Sequence, residues 1–279
     1  MGIYRKYDVR VFDKFIEKFA QKYVEQRSAF SQVSIDDLIK AAESLGTGFD
    51  MSQIKTVLDK NAVYEDSIRE KDQIPLPFRD IYRSDMGELL TTYYFEEKVG
   101  EEERYIIPTK NISARERYDM PGRGVDSIGY RMDKDGKVTL LLAEAKVSSE
   151  KNNPPSVVDK TDDSIYKTQK YYHDNLQTVE QRLCEYIKRL EGDDLRIILS
   201  VILTIESGNT AHINVTYGCG LIRDYTCVDD TKDFGKMKSC ESEFMPGEVH
   251  FTIFSFTEAT IDSTIDQFYH KVKELANGK

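Results

Sequence analysis

The chain has 279 residues, and its 39 Lys+Arg against 49 Asp+Glu leave a formal net charge of -10. That length suits one large or two unequal domains with a sizeable core, and 11% aromatic residues with only 16 Gly and 7 Pro exclude a disordered or collagen-like chain. The longest apolar stretch, Ile197 to Ile205, is broken by Ser200 and Thr204 and is far shorter than the ~20 residues a bilayer helix needs, and the charged start MGIYRKYDVRVFDKF lacks a signal-peptide core, so no membrane partner and a cytoplasmic location are expected.

Residues 8–27 place Val9, Phe12, Phe15, Ile16, Phe19, Tyr23 and Val24 at helical spacing, with charges on the other face. Ser34 and Asp50 read as N-caps of two shorter helices, SIDDLIKAAESL and DMSQIKTVLDKN. An amino-terminal helical unit is therefore predicted over 1–70, its aromatic stripe serving as core or as a docking face, followed by a second domain over 71–279. Pro75 and Pro77 disfavour helix in the residues before them and mark the boundary. The next segment, FRDIYRSDMGELLTTYYFEEK, reads as a helix with Met86, Leu89, Leu90 and Tyr93 inward and Asp85, Glu88 and Thr92 on a different face.

Residues 123–131 and 137–147 are strand-like runs joined by a turn ending at Gly136, which together predict a β-hairpin. Residues 164–191 are helical in pattern, and 225–245 reads as a solvated loop or insertion. The runs LRIILSVILTI, HINVTYG and VHFTIFSFT predict further strands, and 258–275 a closing helix. The fold class is α+β, or mixed α/β.

The strongest chemical signal is LLLAEAKV, residues 140–147. Strand alternation puts Val138, Leu140, Leu142, Glu144 and Lys146 on one face, so a buried run ends in an acid and an amine about 6–7 Å apart. A hairpin centred near Asp135 sets Asp126 opposite Glu144, and opposed residues of an antiparallel pair share a face with Cβ atoms about 4.5–5.5 Å apart. A β-bulge near Gly136, if the turn forms one, would shift this register by one. Two such carboxylates repel unless a proton or a cation intervenes. A hard divalent ion such as Mg²⁺, or Mn²⁺ in its place, relieves the repulsion with one or two carboxylates, water and substrate phosphate around it. Lys146 beside it can orient and deprotonate water or neutralise charge on a phosphate, and Glu88 can add a third carboxylate if packing delivers it. An E-x-K tripeptide alone is more often an exposed ion pair than a catalytic pair.

Between 104 and 131, Arg104, Lys110, Arg115, Arg117, Arg123 and Arg131 outnumber Glu116, Asp119 and Asp126. Such a patch suits a phosphate backbone, or equally pairs with acidic surface elsewhere. Cys184, Cys219, Cys227 and Cys240 form no C-x-x-C pair and read as free thiols, and their spacings with His212 or His250 match no usual structural zinc pattern. None of His173, His212, His250 and His270 sits in a nucleophile motif such as G-x-S-x-G, which disfavours a serine or cysteine hydrolase. No G-x-x-x-x-G-K-[ST] loop is present, so an ATP-driven motor has to come from another chain.

Asp126 followed 18 positions later by Glu144-Ala-Lys146 resembles the core motif of the PD-(D/E)xK nuclease superfamily, with Val125-Asp126 where that pattern often has Pro-Asp. The longer strings SDMGELL (84–90), PTKNISARE (108–116), MPGRGVDSIGYR (120–131) and LLLAEAKVS (140–148) resemble the HamA family, the nuclease subunits of bacterial Hachiman anti-phage systems, closely over about residues 80–150. The resemblance implies a restriction-endonuclease-like core sheet flanked by helices. It also implies a Mg²⁺- or Mn²⁺-dependent DNA endonuclease, with double-stranded DNA the expected substrate, restrained and released by a HamB-like superfamily 2 helicase. By position it makes Asp126, Glu144 and Glu88 metal ligands and Lys146 the catalytic lysine, with Gln169 and Lys170 as accessory groups. Many related nucleases carry a Gln and a Tyr on that helix, whereas here His173 stands at the Tyr interval. The alternatives are an RNA-directed nuclease, and a catalytically silent DNA-binding subunit that clamps its helicase.

Overall fold

The computed structural model describes residues 2–10, 13–27, 35–44, 46, 52, 76–114 and 124–276. A six-stranded mixed sheet forms the centre, in the order β1-β6-β5-β4-β3-β2. Its strands are β1 (Ile3–Val9), β2 (Ile106–Lys110), β3 (Ser127–Met132), β4 (Val138–Ser148), β5 (Ile213–Asp224) and β6 (Glu248–Phe256). β4, β5, β6 and β1 run parallel, while β3 and β2 continue the sheet antiparallel.

Helices cover both faces, which is why the central strands read as near-continuous apolar runs. On one face lie α1 (Asp13–Arg27), α3 (Leu76–Tyr93) and α7 (Ile261–Ala276), packed on Leu141, Ala143, Ile222 and Phe254. A further helix, α2 (Ile35–Ser44), precedes α3 in the chain. On the other face α4 (Ile165–Asp174), α5 (Leu176–Tyr186) and α6 (Gly192–Glu206) pack on Leu140, Leu142, Cys219 and Leu221. The period of two along β4 thus divides one strand between two cores. Among the described residues no helix is long and apolar enough to cross a membrane.

Three expectations change. Residues 8 and 9 end a strand instead of opening a helix: β1 pairs with β6 along its whole length, and α1 starts only at Asp13. The run LRIILSVILTI is helix, not strand. Ile198, Val201, Ile202 and Ile205 fall on one helical face and are buried, and Asp193 and Asp194 sit in the first turn, where negative charge favours a helix start. β-Branched content suggested a strand, and packing of that stripe overrides it. The 225–245 segment is not simply solvated, because Phe234, Met237 and Phe244 plug into the second core. The second predicted short helix, most of it, and the predicted boundary at 70/71 lie outside the described residues.

Candidate active site

The hairpin is paired from Ser127–Ala143 to Met132–Val138 without a bulge. One further step in the same register sets Asp126 opposite Glu144, where hairpin arithmetic places it. The Ala145 N–H donates to Asp126 Oδ2 at 2.8 Å, which fixes this carboxylate at the mouth of the pair. Glu144 and Lys146 follow Leu140 and Leu142 on the face toward α4 and α5, and Lys146 Nζ lies 3.1 Å from Glu144 Oε1. Glu144 is only 4% exposed, whereas the Lys146 side chain is 21% exposed, so the amine stands between the acid and solvent.

Glu88 arrives from α3, on the opposite side of the sheet. Its helix is held by the inward Met86, Leu89 and Leu90, and one turn on, Thr92 Oγ1 and Ser127 Oγ share a hydrogen bond of 2.9 Å. Glu88 Oε1 accepts the Ile112 N–H at 2.7 Å. The adjacent Asn111 N–H donates to the Asp126 carbonyl at 2.7 Å. A single helical turn, Asn111–Ala114, therefore touches two of the three acids. Asp85, predicted on the same helical arc, belongs elsewhere: it is buried and accepts the hydroxyls of Tyr23 (3.1 Å) and Tyr269 (3.0 Å), tying α3 to α1 and α7.

Burial raises all three acids, and repulsion from neighbouring carboxylates adds to it for Glu88 and Glu144. Burial, then the charges of Asp126 and Glu144, hold Glu88 well above the carboxylate range, against the Ile112 N–H and Lys110. Burial pushes Asp126 up to about 6, although Lys146 and the Ala145 N–H pull it down. Burial and then Asp126 push Glu144 up to about 8, with Lys146 opposing. For Lys146, burial works downward, but Glu144, Asp126 and Asp163 outweigh it and keep the amine protonated. The group is an overcrowded anionic site, a state that protons or a hard cation relieve.

Its oxygen donors suit Mg²⁺ or Mn²⁺. Glu144 Oε2 is buried and has no hydrogen-bond partner, so one ligand lone pair is uncommitted. Among the described residues no three His, Cys, Asp or Glu side chains already surround one point. The residues fit a cation held by two carboxylates with water completing its shell, rather than a closed protein cage.

Two groups at the site were not singled out by sequence. Exposed Asp163 lies 3.4 Å from Lys146 Nζ and gives the amine a second anionic partner. Tyr172 is buried on α4, and its phenol is pushed up by burial and then by the charges of Glu144 and Asp126. It stands three residues after Gln169, on the same helical face, which is the signal that could have found it. Gln169 is fully buried and donates to the carbonyls of Leu142 (3.0 Å) and Gly218 (2.9 Å), so it clamps β4 to β5. Lys170 turns to Asp174, and His173 hydrogen-bonds the Tyr217 hydroxyl at 2.8 Å. In the basic segment, Lys110 is paired to Glu96 at 2.8 Å and Arg131 lies over the Tyr105 ring; Arg115, Arg117 and Arg123 lie outside the described residues. The four cysteines are free.

The HamA family model matches residues 6–272, nearly the whole chain. The chain belongs to the HamA family. As a HamA protein it is a component of a Hachiman anti-phage defence system. No curated protein and no solved structure matches it. The HamA match spans the sheet and both helical layers, so Asp126, Glu144, Lys146 and Glu88 all lie within the family region.

Proposed function

We propose that this HamA chain is a divalent-cation-dependent DNA endonuclease, the effector of its Hachiman complex, engaged by a partner HamB-like helicase. The observation that carries the reading is the meeting of Asp126, Glu144 and Lys146 at the end of a buried strand pair, with Glu88 brought in from a separate helix. Asp126 and Glu144, with Glu88 in support, would hold the cation, which when bound would supply Lewis-acid activation of a phosphodiester and a more acidic water. The protein's own groups do the rest. Asp126 is held in place by the Ala145 N–H, and Glu144 keeps a buried oxygen with no hydrogen-bond partner. Lys146, kept protonated by the acids around it, is suited to neutralising charge on a phosphate more than to removing a proton.

The test uses the chain co-purified with its helicase, given supercoiled and linear double-stranded DNA with Mg²⁺ or Mn²⁺, with and without ATP. Cleavage is expected only when the helicase engages DNA. Glu144→Ala is expected to keep the complex and lose cleavage by at least about 100-fold. A wild-type complex that binds DNA and cleaves nothing in either cation identifies a silent clamp instead.

A further inference from the structure

Among the described residues, Arg182, on α5, pairs with Glu185 of its own helix and with none of the three site acids, yet it grips the segment that orients two of them. Its Nη2 donates to Asn111 Oδ1 at 3.1 Å. The same guanidinium bonds Glu185, reaches the Tyr186 hydroxyl at 3.4 Å and stacks 5.1 Å from the Tyr186 ring centre, so its fork is fixed from its own helix. Its buried Nε lies against Gly124, two residues before Asp126, at 3.4 Å from the position a Cβ would take there. Gly124 has φ +88, a backbone state open to glycine and strained for other residues.

The consequences run through main-chain amides. Asn111 uses its side chain for Arg182 and its N–H for the Asp126 carbonyl, and the next N–H, of Ile112, holds Glu88. We infer that Arg182 is a positioning residue: from α5 it braces the Asn111 turn and the Gly124 approach, and so sets the separation of Asp126 and Glu88 across the two faces of the sheet. The brace rests on the endonuclease reading for its catalytic meaning, and on the hydrogen bonds alone for its existence.

Amide hydrogen exchange on the metal-free full chain tests the brace directly. Arg182→Gln is expected to speed exchange at the Asn111 and Ile112 amides at least tenfold, with β4 and β5 amides unchanged. Arg182→Lys, which keeps the charge and a donor nitrogen but not the planar fork, is expected to recover part of the protection, and Asn111→Ala combined with Arg182→Gln to add little to either alone. In the helicase-engaged complex, Arg182→Gln is expected to raise the Mn²⁺ concentration for half-maximal cleavage about tenfold, with the KM for DNA unchanged. Unchanged exchange at both amides, or fully additive effects of the pair, overturns the brace. Faster exchange in a chain whose wild type never cleaves keeps the brace and rejects the endonuclease reading.

Discussion

Glu144 is the residue on which the electrostatics turn. Its proton is held more tightly in the folded chain, with a pKa near 8 against an ordinary 4.5. The sign follows: its contribution to stability is complete below about pH 4.5 and is lost as pH rises toward 8, where the buried charge faces Asp126. Glu144→Gln is therefore expected to raise the melting temperature of the metal-free protein, little at pH 5 and by about 2–4 °C or more at pH 8.5, equivalent to at least ~1 kcal/mol. A gain that is the same at both pH values contradicts the crowding. Asp126, Glu144 and Lys146 were legible in the sequence because strand alternation and hairpin arithmetic are local rules. Asp163, Tyr172 and Asn111 were not, because they reach the site from a loop, a helix and a turn whose placement is decided by packing.

At the scale of elements, the approach of α3 to the sheet governs where Glu88 stands. Gly220 on β5 makes room for it, because a Cβ there would collide with the Thr91 hydroxyl, and Gly218 does the same for Phe95 just beyond the helix, whose ring would lie 3.0 Å from a Cβ. Gly220→Ala is expected to push α3 outward, costing about 1–3 kcal/mol by overpacking, and to lower cleavage at saturating DNA as Glu88 moves. Denaturant unfolding with an unchanged midpoint would sink this account of the helix seat. The helix face of Glu88 was visible in sequence, but its depth was not, since nothing local announces the glycines opposite. At α6 the residue types favour a strand, whereas the spacing of Ile198, Val201, Ile202 and Ile205 favours the helix that forms. There the period was the better guide than the residue types.

For the whole molecule, an acidic chain encloses its site between two helical layers, with β1, the first strand in the chain, at the far edge of the sheet from β2. Sequence alone supported a helical amino terminus. The parallel pairing of β1 with β6 joins residues some 250 positions apart, a contact no local pattern encodes. Asp85, with its two tyrosine hydroxyls, joins α1 and α7 to the helix that carries Glu88, so the amino and carboxyl ends both bear on the site.

The most direct measurement is the nicking rate of supercoiled DNA by the helicase-engaged complex in Mg²⁺, compared for wild type, Glu144→Ala, Lys146→Ala and wild type with excess EDTA. The account predicts that both substitutions and chelation reduce the rate at least about 100-fold while DNA binding persists. Wild-type nicking that survives in Glu144→Ala or in EDTA contradicts a cation-dependent centre built on these residues.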